Sequence, residues 1–569
     1  MIHPSCPACS DISESRRPLL RHSRAESRPL PARAALAVPV ALATLLCACS
    51  PSDGENANGS EEHHRKPEGE PDALTQVAPD TVADLGEEKR SEDEGGVDVE
   101  IAYPTVPGAE PFAEELASIA EEKADDYRAA VSGAEGLDVK GALSAAGPDV
   151  LAVRLALKEK NSDGEHSGSS TYWYDTASAH TAYSTELLDG QKGLDELNKL
   201  VKERLEEDGV EPEALYPIAG LYDSVGFNPD GDVVVEFDQG QVAPASEGAL
   251  HAVVPREDAE PLLSDFGRRA QETATQVTPD LELEDSGSPK DGGAAEVPGR
   301  LAPDAPGDVD CSDPESKCIA LTFDDGPGGR TPEVLDTLAE YDAKATFFVT
   351  GEPVRENLRT VRREYAEGHE VANHTVTHPD LTTLGKDEVR KELTEVNGLV
   401  ARETGERPVL MRPPYGATND DVASVSKDLG LAEIIWNVDT NDWKDRNASV
   451  VADRALKGAA PGAIILMHDI HGTTIDAVPE IVKGLDEKGY TMVTVSQLLG
   501  ETEPGKSYLD GAPDEPEEDK GDKGEKSGKD DKGSESKDDE DKGKDESDKK
   551  DEKKDDKDSD KGEGKKDED

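Results

Sequence analysis

The sequence predicts an α/β fold in which about seven strand–helix units form a barrel, preceded by a smaller α+β domain and set between charged linkers. Three observations predict it. Apolar runs at 319–323, 345–349, 370–372, 409–411, 433–438, 463–467 and 491–495 alternate with helical stretches, and such alternation builds a parallel sheet that seven or eight units can close. Residues 97–271 show instead short alternating runs beside a single helical stripe. The remaining segments are charged and poor in residues that a core could bury, so they have no means to offset the entropy of ordering.

Taken in order, the chain opens with arginines from Arg16 to Arg33 and an apolar run at 34–48, ending in Leu46-Cys47-Ala48-Cys49. A basic stretch, a short apolar core and small residues at its end make residues 1–49 a signal peptide. The run is too short for a membrane span. Its last four residues resemble a bacterial lipobox, which makes Cys49 the lipidation site and the only membrane attachment of an exported protein. Cys6, Cys9 and Cys47 then leave with the signal, and Cys311 and Cys318 remain. In an oxidising compartment a disulfide closing that small loop is the economical reading.

Residues 50–96 read as a linker rich in Glu, Asp, Gly and Pro. Residues 97–275 read as the α+β domain: 149–157 and 171–174 are strands, Leu194, Leu197, Val201 and Leu205 form one helical stripe, and 227–231 is a turn entering a strand at 233–237. No catalytic constellation stands out there, and Tyr172, Trp173 and Tyr174 read as packing residues. A second linker covers 276–310, the barrel 311–500, and a mixed Lys/Asp/Glu/Gly/Ser tail 501–569. The formal net charge of −64 argues against a nucleic-acid partner, since phosphate binding requires clustered cations.

Within the barrel segment, polar clusters fall at five strand ends: Thr322-Phe323-Asp324-Asp325-Gly326, His374-Thr375-Val376-Thr377-His378, Arg412-Pro413-Pro414-Tyr415-Gly416, Asp439-Thr440-Asn441-Asp442-Trp443 and Leu466-Met467-His468. Strand ends at one mouth are where such barrels carry functional residues. His374 and His378 share a face if their segment turns helically, and a carboxylate from another strand completes a three-ligand metal site with one position open for water. Two histidines and a carboxylate suit several divalent metals. One of Asp324 and Asp325 faces the metal; the other is free to take a proton from water, with Arg412 holding it ionised and oriented. His468 is the natural acid on the opposite side, with Asp442 fixing its tautomer and raising its pKa.

These five segments, in this order, resemble the signature of the polysaccharide deacetylase family, the NodB-homology domain of carbohydrate esterase family 4, over about 318–500. The resemblance implies a distorted (β/α)7 barrel and metal-assisted hydrolysis of an N-acetyl amide on a sugar. It assigns Asp325, His374 and His378 as ligands of one divalent ion, zinc first, with cobalt, nickel or manganese as alternatives. It makes Asp324 the base tethered by Arg412, His468 with Asp442 the acid, the Tyr415 backbone N–H an oxyanion donor, and Trp443, Leu466 and Pro414 the pocket wall. In the α+β domain, Tyr103-Pro104 and residues 172–188 and 227–254 resemble the extracytoplasmic domain of anti-sigma factors of the RsiV type, which implies contact with lysozyme or the wall. Together these resemblances imply a wall-facing deacetylase acting on peptidoglycan. Chitin or chito-oligosaccharide deacetylation and acetyl-xylan esterase activity are enzymatic alternatives, and a wall- or lysozyme-binding sensor is the alternative of another class.

Overall fold

The computed structural model describes residues 70–276, 278–283, 297–300, 309–313 and 316–511. The signal peptide with Cys49, the first part of the 50–96 linker, most of the 276–310 linker and the tail from 512 onward lie outside the described residues.

The first module contains β1 (Gly86–Glu94), β2 (Val97–Thr105), α1 (Glu110–Ala130), β3 (Ala134–Ala146), β4 (Val150–Asn161), β5 (Gly164–Asp175), β6 (His180–Tyr183), α2 (Gly190–Glu207), β7 (Val225–Phe227), β8 (Val233–Phe237), β9 (Leu250–Val254), α3 (Arg256–Ala259) and α4 (Asp265–Ala274). A six-stranded sheet runs in the order β1 to β6, with only β2 and β3 parallel, across α1. A separate meander joins β7, β8 and β9. The α2 stripe is buried as its spacing predicts, and Trp173 packs edge-on against Phe227.

The linker expected at 50–96 gives way before its end, because 86–94 forms β1 and pairs with β2 through nine consecutive positions. Its sequence, Gly-Glu-Glu-Lys-Arg-Ser-Glu-Asp-Glu, has no apolar period to betray a strand. It lies at a sheet edge, where charge discourages pairing with other chains, and Gly95 and Gly96, both at positive φ, make the tight hairpin turn into β2. The module also begins before 97: Leu74 and Thr75 are buried, and the Thr75 N–H donates to the Phe227 carbonyl. The 276–310 linker is likewise not wholly free, since Leu281 is buried and bridges Val82.

The second module runs through β10 (Cys318–Asp324), α5 (Thr331–Glu340), β11 (Thr346–Val349), α6 (Gly351–Glu356), α7 (Leu358–Ala366), β12 (Glu370–Asn373), α8 (Lys386–Thr404), β13 (Leu410–Met411), α9 (Asp420–Asp428), β14 (Ala432–Ile434), β15 (Val438–Asp439), α10 (Asp442–Asp445), α11 (Ala448–Gly458), β16 (Ile464–His468), α12 (Gly472–Ile475), α13 (Val478–Glu487), β17 (Thr491–Val493), α14 (Val495–Leu499) and β18 (Ser507–Tyr508). Every pairing is parallel, in the order β15-β16-β10-β11-β12-β13-β14-β18. β15 opens this order and β14 stands next to its other end, yet the two belong to one chain segment, so the sheet curls round on itself. The seventh strand, β17, pairs only with Cys318–Ala320, on the edge that β11 takes over at Thr322. This is the distorted (β/α)7 barrel.

Two expectations need correction here. The strand expected at 433–438 is broken into β14 and β15, because the chain bends at 435–437 and turns the Ile434 and Ile435 carbonyls towards Arg412. The barrel also extends beyond 500, to the β18 strand that pairs with β14 and to Gly511, whose N–H donates to the Gly462 carbonyl. A two-residue strand at the start of a charged tail carries no periodic signal. Cys311 and Cys318 are joined by a disulfide, which ties the segment before the barrel to the first residue of β10.

Candidate active site

Five strand ends converge at one mouth, as their sequence positions predict. β10 ends at Asp324, which is 2% exposed. Its Oδ1 accepts a 2.7 Å hydrogen bond from Arg412, itself fully buried. The guanidinium also donates to the Thr322 hydroxyl at 2.8 Å and to the Ile434 and Ile435 carbonyls at 3.1 Å, and it lies 4.1 Å over the Phe348 ring. Fixed on every side, it leaves Asp324 one orientation. Burial pushes the Asp324 carboxyl above the ordinary carboxylate range, against the pull of Arg412 and His468.

The next residue, Asp325, has φ 71°, and this turn sends the two neighbouring carboxylates on different errands. Asp325 Oδ1 lies 3.5 Å from Nε2 of both His374 and His378. The histidines do meet at one point, but not by the helical turn expected from their spacing. Left-handed Thr375 (φ 68°) and His378 (φ 55°) fold 374–378 into a tight loop, and the Thr375 hydroxyl accepts from the His378 N–H at 3.1 Å. The His374 ring is buried, which pushes it down to about 3 and keeps it neutral. Its Nδ1 lies 2.7 Å from the Arg412 carbonyl, so Nδ1–H donates there and the Nε2 lone pair points at Asp325.

This donor set fits a divalent metal. Ligands at ~2.0–2.2 Å from a tetrahedral ion stand roughly 3.3–3.6 Å from one another, and both His–Asp separations fall in that range. Among the described residues Asp325, His374 and His378 form the only such group of three or more metal-binding side chains.

On the opposite side, His468 ends β16 beside Asp324, its partner in the β10–β16 register. Its Nδ1 lies 2.9 Å from Asp442 Oδ1, and its backbone N–H donates to Asp442 Oδ2 at 2.8 Å. Asp442, fully buried at the start of α10, also accepts from the Trp443 N–H at 2.9 Å and the Thr474 hydroxyl at 2.7 Å. Burial opposes charge on both partners. The His468 contact, with the hydroxyl and amide donors, nevertheless holds Asp442 below its usual range. Asp442 and Asp324 together hold His468 at about 9. Nε2 is thus the free nitrogen of a charged imidazole.

Tyr415 (φ 62°) is 69% exposed, with its ring centre 4.7 Å from that of His378 in an edge-to-face arrangement. Trp443 is half-exposed, Leu466 is buried two residues before His468 on the same strand, and Pro414 is buried next to Tyr415. Sequence reading missed several supporting groups. Asn373 caps the Thr375 N–H at 2.8 Å, and its place beside His374 was a usable signal. Glu392, 14 residues after His378 in the sequence, holds the same loop from α8 and looks in the sequence like any other acid on a solvated helix. The His471 ring stands 5.7 Å from that of His468.

Comparison with known proteins points the same way as this geometry. The family model for polysaccharide deacetylase matches residues 312–434. A peptidoglycan-N-acetylglucosamine deacetylase of Listeria monocytogenes, PgdA, is 48% identical over 197 residues, or 34% of this chain and 42% of that protein. The peptidoglycan-N-acetylmuramic acid deacetylase PdaC of Bacillus subtilis is 46% identical over 187 residues, 33% of this chain and 39% of that one. The chain therefore spans less than half the length of these two relatives. A chitooligosaccharide deacetylase of Sinorhizobium fredii is 38% identical over 194 residues, which are 32% of this chain but 90% of that enzyme. Since nearly the whole of that smaller enzyme is matched at this level of identity, the chain belongs to the polysaccharide deacetylase family.

Proposed function

We propose that the chain is an exported, metal-dependent hydrolase that removes N-acetyl groups from peptidoglycan amino sugars, GlcNAc or MurNAc, releasing acetate. The observation that carries this reading is the arrangement of the site: a three-ligand cradle with an Arg-tethered carboxylate on one side and an Asp-backed imidazolium on the other. Asp325, His374 and His378 would hold the ion, zinc before cobalt, nickel or manganese. When bound, it would polarise the acetyl carbonyl and make water more acidic. Asp324 accepts the proton of the attacking water, and Arg412 keeps its carboxylate aimed. The Tyr415 N–H donates to the oxyanion. His468 Nε2 then protonates the departing nitrogen as the C–N bond breaks, leaving acetate and a free sugar amine. Pro414, Trp443 and Leu466 wall the acetyl group.

The choice of peptidoglycan rests on the two wall-deacetylase relatives and on the export pattern at the N-terminus, with Cys49 as the proposed lipid anchor. No helix among the described residues is long and apolar enough to cross a membrane. The purified protein is tested for acetate release from peptidoglycan, chito-oligosaccharide and acetyl-xylan, with and without chelator. Chelator-sensitive release from peptidoglycan, with wall-fragment mass spectrometry locating the lost acetyl, supports the proposal. Release only from chitin fragments or xylan moves the substrate, and no release from any glycan by metal-loaded protein overturns the enzyme reading. For the first module we propose contact with lysozyme or the wall polymer. Failure of the full-length protein to bind either removes that part.

A further inference from the structure

The loop that carries both histidines is held from behind by one helix. On α8, Glu392 Oε2 accepts from the N–H groups of Val376 and Thr377, both at 2.9 Å, and Oε1 accepts the Thr377 hydroxyl at 2.8 Å. From the same helix, the Leu393 carbonyl and Asn397 Oδ1 accept from the Asn373 side-chain amide at 2.8 and 2.7 Å, while the Asn373 side-chain oxygen caps Thr375. Both ends of a loop with two left-handed, non-glycine residues thus depend on where α8 lies.

Later positions of α8 meet the first module. Gly398 lies against α1, where an added Cβ would stand 3.2 Å from Asp126 Oδ1 and 3.4 Å from Ala130 Cβ. Arg402 makes a two-pronged pair with Glu159 of β4 at 2.8 and 2.9 Å. Just beyond the helix, Arg407 reaches Glu122 at 2.6 Å and Asp126 at 2.7 Å. At the C-cap a Cβ on Gly405 would lie 2.7 Å from the Gly220 nitrogen. The barrel supplies the cations, the first module the acids, and Val396, Leu399 and Val400 share a buried cluster with Ala130.

We propose that α8 is a strut through which the first module sets the affinity of the Asp325–His374–His378 site for its ion, with Glu392 and Asn397 as positioning residues. This rests on the ligand assignment above. A metal site's supporting hydrogen bonds typically govern its affinity by ~10–100-fold, and here the support itself is seated on a second module. The test titrates Co2+ into the metal-free full-length chain, reading visible absorption and competition with a chelator. Glu392→Ala should weaken Co2+ binding at least ~10-fold. Glu392→Gln, which keeps an oxygen for the two N–H donors and can donate to the Thr377 hydroxyl, should restore binding to near that of the unaltered chain. Arg402→Glu and Glu159→Arg should each weaken Co2+ binding and shift the absorption band, and the double charge swap should recover both. If Arg402→Glu fails to fold, Arg402→Gln removes the pair without placing like charges together. Tight Co2+ binding by the unaltered chain with no change in Glu392→Ala or in the Arg402 variants overturns the inference. If the unaltered chain binds no Co2+, the ligand assignment itself fails.

Discussion

Replacing Asp442 by Asn tests the acid side of the site through a pH profile. His468 stands at about 9 instead of the ordinary 6.5. At 1.36 kcal/mol per pH unit, that corresponds to about 3 kcal/mol favouring the imidazolium. Asp442 supplies the hydrogen bond in that balance, and Asp324 adds charge. Each Asp442 oxygen accepts two hydrogen bonds. An amide nitrogen accepts none, so Asn loses the charge and leaves at least one buried donor without an acceptor, at a cost of about 1–3 kcal/mol. A general acid works only while protonated. The alkaline limb of kcat/KM should therefore fall near pH 9 in the unaltered protein and about one unit or more lower in Asp442→Asn, both carrying the same metal. Stability should follow the same sign. Because folding raises the His468 pKa, its contribution is complete below about pH 6.5 and is lost as pH rises through about 9. The stability gap between the two proteins, read by urea unfolding, should be widest below pH 6.5 and narrow towards pH 9.5. An unchanged alkaline limb in Asp442→Asn would refute the assignment of His468 as the acid.

Three further outcomes separate the remaining roles. Asp324→Asn should lower turnover by about 10²–10⁴-fold with metal content retained, whereas Asp325→Asn should lose metal on gel filtration; the reverse pattern exchanges the two assignments. Arg412→Met leaves the buried Asp324 charge without its partner and should cost about 3–5 kcal/mol in urea unfolding, part of which a second change, Asp324→Asn, returns. Replacing Cys311 and Cys318 by Ser opens a loop of sequence separation 7 and should cost about 2–3 kcal/mol, with kcat little changed because the bridge lies at the opposite end of β10 from Asp324.

The barrel and its site were legible because both leave period and position in the sequence. Buried parallel strands read as apolar runs, and five of the seven runs end in or beside the ionisable groups that the structure gathers. What stayed hidden was structure made by pairing alone. β1 is a strand by virtue of its ladder to β2, with hardly an apolar side chain to show it. The break between β14 and β15 is set by the need of Arg412 for two carbonyls, a demand spread over 20-odd residues of sequence. Glu392 is one acid among several on α8, and only the folded loop distinguishes it.

The backbone of the mouth explains why the ligand geometry in particular escaped periodicity. Asp325, Thr375, His378, Tyr415 and Asn441 all sit at positive φ without being glycine, a conformation costing about 1–2 kcal/mol for each such residue. Asparagine bears it with little difficulty, and glycine would relieve the rest. Yet Asp325 and His378 supply two of the three converging ligand atoms, and Tyr415 stands against one of them, so glycine there would remove the chemistry together with the strain. Fixed hydrogen bonds offset it instead: the His378 N–H to the Thr375 hydroxyl, the Thr375 N–H to Asn373, the next two N–H groups to Glu392, and the Asn441 N–H to Asp439 at 2.7 Å. Strain concentrated where it aims a ligand, and held by side chains outside the ligand set, marks a site shaped before anything binds to it.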